Sequence, residues 1–213
     1  MRGPRARTAA LDAALWYALT WGWSVAPGTR WEQGRCTCGV ADCPTPGEHP
    51  ADADWAEQAT RDPEQLTRWL VDSPGASVVL PTGREFDVVE VESGPGLAAL
   101  HRMVQRGDQP GPVVATSGGR LLFCVAPGDH AELPALIAGA GLADSVPVRG
   151  RGPGDYVVVP PSGHGERASA RWAHIRRDRT LPLPRARLVT ETVASVGAGA
   201  AGSVPGLRRP LAE

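Results

Sequence analysis

The sequence predicts an α+β domain with a small zinc-binding loop near its N-terminus, on three observations. Apolar stripes at helical spacing are mixed with short apolar strands without strict alternation, which favours α+β over a parallel α/β sheet. Hydrophobic residues make up 42% of the 213 positions, enough for one buried core and too many for a disordered chain. Three of the four cysteines, Cys36, Cys38 and Cys43, fall within eight positions, and His49 follows closely.

In chain order, residues 8–20 carry Leu11, Ala14, Leu15 and Ala18 as one apolar stripe and predict the first helix, stopped by Gly22. Arg2, Arg5 and Arg7 precede this stretch as in a signal peptide. Asp12 and the shortness of the run predict instead an amphipathic helix in a cytoplasmic protein. Trp23 to Ala26 reads as a short strand, and residues 27–54 as a loop rich in Gly, Pro and Cys. Trp21, Trp23 and Trp31 are expected to pack around that loop. Asp62 is placed to cap a second helix, with Pro63 at its first position, Gln65 at capping-box distance, and Leu66, Trp69 and Leu70 as its buried stripe.

Further along, Ser77–Leu80 and Phe86–Glu92 read as strands, and Leu97, Leu100, Met103 and Val104 mark a helix. Val113–Ala115 and Leu121–Val125 are strands joined by the turn Ser117-Gly118-Gly119, and Cys124 reads as core. Residues 131–139 are expected to be helical, with His101 and His130 as surface helix residues. Val146–Val148 and Tyr156–Val159 are the last predicted strands, separated by the turn-rich segment 150–154. A short helix is expected near 185–195, then a flexible tail. The domain is therefore placed at 8–180, with the metal loop at 34–50 and residues 181–213 as a C-terminal extension.

Charge restricts the partners. The net charge is -1, and all 22 basic residues are Arg. Duplex-DNA binders draw affinity from a basic excess that this chain lacks, so any nucleic-acid contact must use a local Arg cluster, be weak, or need a partner. No apolar run reaches the length of a membrane span.

The segment from Cys36 to His49 has the spacing C-x-C-x4-C-x5-H. Thiolates and imidazole are the ligands zinc prefers, and four of them close its tetrahedron. A closed set implies a structural ion, with no open position for catalysis. Clustered cysteines in a cytoplasmic chain read as metal ligands rather than disulfides.

The order of motifs resembles the N-terminal domain of bifunctional DNA primase/polymerases (Prim-Pol), within the archaeo-eukaryotic primase superfamily. The resemblance rests on Gly22-Trp23-x-Val25-x-Pro27, the cysteine loop ending in Gly47-x-His49-Pro50, and Thr60-x-Asp62-Pro63. It continues through Thr82-Gly83 before Phe86-Asp87-Val88-Val89, Ser117-Gly118-Gly119-Arg120, Val148-Arg149-Gly150, and Tyr156 to Ser162. It implies a modified RRM-like core and template-directed nucleotidyl transfer in DNA replication, with two Mg²⁺ or Mn²⁺ ions. The ligands it implies are nucleotides and single-stranded DNA or primer–template. The protein partner it implies is a helicase or replication factor.

Carried over by position, the family's Asp-x-Asp pair falls on Glu90 and Glu92, whose alternation keeps both carboxylates on one strand face. These two are the expected divalent-metal carboxylates. Ser117, Gly118, Gly119, Arg120, Arg149, Arg151 and Ser162 are the expected nucleotide- or phosphate-contacting residues. The phosphate-binding His maps to Leu121, the third carboxylate to Pro147 with Asp144 nearby, and the Lys beside the zinc-loop His to Glu48. One catalytic station is altered and two are lost. Three readings follow: a primase/polymerase working through Glu90 and Glu92, a silent relative that binds nucleotide, single strands or protein, and a zinc-stabilised domain with no nucleic-acid role. Ser117 has no His–Asp partners the sequence can place, so a hydrolase is not supported.

Overall fold

The structure is a computed structural model that describes residues 4–142, 146–164, 167–168, 170–176 and 182–201. Asp144 and the tail beyond residue 201 lie outside the described residues. Helix α1 (Pro4–Trp16) runs into a π-helical turn, Tyr17–Trp21, and stops where Gly22 takes a left-handed φ of 67°. Strand β1 is only Ala26–Pro27. Trp23 was expected in this strand; its N–H instead donates to the Tyr17 carbonyl, and its ring lies 4.7 Å from that of Phe86. Trp21 is buried with it, so these two indoles belong to the main core and not to the metal loop.

The metal loop holds a hairpin, β2 (Trp31–Glu32) and β3 (Arg35–Cys36), followed by the short helix α2 (Trp55–Gln58). Helix α3 (Pro63–Asp72) starts as its sequence dictates: Asp62 Oδ1 accepts from the Glu64 N–H at 3.0 Å, and Leu66 and Leu70 turn inward. Then come β4 (Val78–Pro81), β5 (Asp87–Glu92), α4 (Ser93–Gln105), β6 (Val113–Thr116) and β7 (Arg120–Val125). A 3₁₀ turn at Asp129–Ala131 leads into α5 (Leu133–Gly139). The remaining strands are β8 (Val148–Arg151), β9 (Tyr156–Val159), β10 (Gly163–His164), β11 (Arg167–Ala168) and β12 (Ala170–His174). Helix α6 spans Ala186–Ala201, longer than expected. Among the described residues no helix is long and apolar enough to cross a membrane.

The fold is α+β with antiparallel sheets. A five-stranded sheet has the order β12-β6-β7-β5-β8, and a smaller one has the order β1-β4-β9. The segment β5-α4-β6-β7-α5-β8 supplies four adjacent strands of the larger sheet in a split βαβ arrangement. The period-two alternation of these strands divides the interior into two cores. Val88, Val114, Leu122 and Cys124 point toward Tyr17, Trp23, Leu66 and Phe86. Val89, Val91, Leu121 and Phe123 point the other way, against Met103 of α4, Leu133 of α5, and Val189 and Val193 of α6. Burying each such side chain contributes about 1.5–3 kcal/mol. Asp129 Oδ2 accepts from the Ala186 N–H at 2.6 Å and ties the start of α6 to the sheet.

Strand β8 begins and ends later than predicted. Gly150 and Arg151, read as turn residues, pair with Val89 and Val88 of β5. Gly150 lets β8 lie against Leu133, which a Cβ there would meet at 2.6 Å. On β5, Glu90 and Glu92 share the face of Val88, with Glu90 opposite the core residue Leu122 and Glu92 opposite Arg120, so the carboxylates stand where that core gives way to charged side chains, termed here the carboxylate cleft.

Candidate metal centre and carboxylate cleft

Cys36 at the end of β3, Cys38, Cys43 and His49 converge, with one ligand atom from each all within 4.8 Å of one another. The Nε2 of His49 lies 3.4 Å from both Cys36 Sγ and Cys43 Sγ. Its Nδ1 lies 2.9 Å from the Pro50 carbonyl, which only accepts, so Nδ1 holds the proton and Nε2 keeps a lone pair for a metal. Burial pushes the Cys36 thiol up, but N–H groups of Cys38 and Gly47 and the Thr29 hydroxyl stabilise the thiolate and bring it down to about 6. The residues fit a tetrahedral ion with soft ligands and can hold one; bound there, it would supply cross-linking rather than chemistry.

The metal loop is docked on the sheets. Thr29 N–H donates to the His49 carbonyl at 2.8 Å, and Ser77 Oγ donates to the Gly47 carbonyl at 2.5 Å. Across the cleft mouth, Ser117 Oγ donates to Glu48 Oε1 at 2.9 Å, joining the loop to the β6–β7 turn.

In the cleft, Glu90 is only 8% exposed. Both its oxygens are taken: Arg120 Nε donates to Oε1 at 3.0 Å, and Arg151 donates to Oε2 through Nε at 2.7 Å and Nη2 at 2.6 Å. Strand register delivers both arginines. Arg120 is opposite Glu92 on β7, Arg151 is opposite Val88 on β8, and each reaches diagonally to Glu90. The remaining guanidinium groups are also engaged. Arg120 Nη2 donates to the Pro147 carbonyl at 3.3 Å, and Arg151 Nη1 donates to the Tyr156 carbonyl at 2.9 Å. Glu92 is held loosely, 3.7 Å from Arg120 Nη1 with half of its side chain exposed.

A model of the N-terminal domain of bifunctional DNA primase/polymerases matches residues 14–186. The chain belongs to this family. Among curated proteins, no sequence matches it.

The divalent ions associated with a Prim-Pol domain do not fit the residues of this cleft. Mg²⁺ needs free carboxylate oxygens in near-octahedral geometry, and those of Glu90 already accept guanidinium protons. Beside it, the Pro147 carbonyl also accepts from Arg120. The pleat turns Leu121 into the helix-side core, where it is 1% exposed, and brings Arg120 to the carboxylates.

Of the other expected phosphate contacts, Gly118 and Gly119 form the β6–β7 turn, with Gly119 at φ 72°. Arg149 points outward, 65% exposed and 3.6 Å from Asp155. Ser162 lies away from this group, buried, with its Oγ accepting from the Val78 N–H at 2.8 Å. One polar pair was not anticipated. His130, read as a surface residue, places Nδ1 2.9 Å from Oδ2 of the buried Asp87. The signal was present in the strand itself: an acidic residue between Phe86 and Val88, within a buried run, requires a partner.

Proposed function

We propose that this chain is a DNA primase/polymerase-like domain that no longer performs nucleotidyl transfer and serves replication as a binding module for nucleotide or single-stranded DNA. The observation that carries the reading is the double arginine clamp on Glu90. Two-metal catalysis places cations where charge develops on the attacking and leaving oxygens. Here the cations beside the carboxylate are Arg120 and Arg151, fixed by covalent tethers and already paired. Nucleotidyl transfer through Glu90 and Glu92 would require both guanidinium groups to leave an 8% exposed carboxylate.

The order of β8-β5-β7-β6 supports an RRM-like core within the larger sheet, on which single strands commonly bind. We read residues 8–180 as the family domain and α6 as a helix added to its core. The metal is zinc by ligand chemistry, structural in role, and the protein is cytoplasmic with a helicase or replication factor as its partner. Fluorescence anisotropy with a labelled single-stranded oligonucleotide tests the reading. Binding that is unchanged by Mn²⁺ and competed by excess nucleotide is expected. No binding of oligonucleotide or nucleotide would overturn the module.

A further inference from the structure

A pocket of about 360 Å³ lies on the helix side of edge strand β8, on the sheet face opposite the carboxylate cleft. We propose that it binds a guanine nucleotide, with the base inside and the phosphate at the rim. The inference rests on reading the chain as a nucleotide-binding relative and gives that binding a location outside the cleft.

His130 forms one wall, and its orientation is fixed twice over. The buried Asp87 Oδ2 accepts from the His130 backbone N–H at 3.0 Å and lies 2.9 Å from Nδ1. A carboxylate only accepts, so Nδ1 carries a proton and Nε2 is the ring nitrogen left for a ligand. Among the described residues nothing pairs with Nε2. The ring also lies flat on Gly152, where a Cβ would come within 2.4 Å of it. Asp155 stands on a second wall. Its backbone is held by the Thr82 N–H at 3.0 Å and by its own N–H to the Gly152 carbonyl at 3.1 Å. Pro134, Ile137 and Pro153 supply apolar walls.

Asp155 lines the pocket and its carboxylate only accepts, so a ligand there must bring donors. Its apolar walls suit a flat ring, and its volume is within the range of small-molecule sites, which begin at about 300 Å³. Guanine presents N1–H and N2–H₂ side by side, a pair that one carboxylate accepts in fork geometry. Adenine and cytosine present a single exocyclic amine, and uracil a single N–H. Arg149 starts from the other face of β8, opposite Glu90, but its guanidinium comes within 3.6 Å of Asp155 around the open edge of the sheet, which puts a cation within reach of the phosphate.

Calorimetry on the full chain with GMP, AMP, CMP and UMP tests the site. GMP is expected to bind about tenfold tighter than UMP, and Asp155→Asn and Ile137→Glu should each weaken it by about tenfold or more. Asp155→Asn, at a partly exposed loop position, should not shift the melting temperature appreciably. Arg149→Ala should weaken GMP while leaving guanosine unaffected. If a guanine-containing oligonucleotide competes with GMP, the ligand is a residue within a strand; if not, it is the free nucleotide, and the pocket stands in both cases. GMP binding that ignores Asp155→Asn and Ile137→Glu would overturn the pocket and leave the binding module standing. So would the absence of GMP binding alongside retained oligonucleotide binding.

Discussion

The metal loop and the carboxylate cleft are joined by the hydrogen bond from Ser117 to Glu48, yet their polar side chains are arranged differently. The loop keeps four ligand atoms converged within 4.8 Å of one another. In the cleft the central carboxylate is tied to two arginines. A structural ion stabilises the fold whether or not catalysis is retained, whereas catalytic carboxylates must remain free and desolvated. Pairing Glu90 internally removes the cost of an unpaired, nearly buried charge.

The largest expected effect separates the two regions. Cys38→Ser, or chelation of the wild type, should release one zinc per chain and lower the melting temperature by on the order of 10 °C or more, since structural zinc contributes on the order of 10 kcal/mol. Metal analysis with a thermal melt checks it; a metal-free wild type of equal stability would contradict the assignment. Next in size, Glu90→Ala leaves Arg120 and Arg151 facing each other without an anion. It should cost about 3 kcal/mol, or roughly 6–12 °C. Glu92→Ala, at an exposed and loosely paired position, should cost within about 1 kcal/mol. Equal losses at the two glutamates would argue against an internal ion-pair role for Glu90.

Smaller effects calibrate the comparison. Asp62→Ala removes only the cap of α3 and should cost about 1 kcal/mol in denaturant unfolding without changing metal content. Ser117→Ala cuts the link between loop and cleft. It should cost about 0.5–1 kcal/mol, and hydrogen exchange should quicken near Glu48 while the metal stays bound. Loss of the metal in this variant would show that the two regions act as one unit.

Local rules made most of the elements legible. Asp62-Pro63 fixed a helix start, glycines marked chain reversals, and thiolate spacing brought the metal ligands together without any knowledge of the fold. Long-range pairing was not legible. The Arg120–Glu90–Arg151 clamp depends on which strands flank β5, and that follows from the sheet order rather than from any local pattern. The same holds for Trp23, whose aromatic and strand character concealed a place in the core beside Phe86. Strand phase also decided the station after Gly119, sending Arg120 to the cleft and Leu121 to the core. The Asp87–His130 pair joins residues 43 positions apart, so sequence spacing gave no sign of it.

The central claim is that the arginine clamp on Glu90 has replaced divalent-metal chemistry in a Prim-Pol scaffold. The most direct test is primer extension on a primed single-stranded template, with labelled deoxynucleotides and either Mg²⁺ or Mn²⁺. The account predicts no incorporation above that of Glu90→Ala. Template-dependent extension by the wild type that disappears in both Glu90→Ala and Glu92→Ala would contradict it.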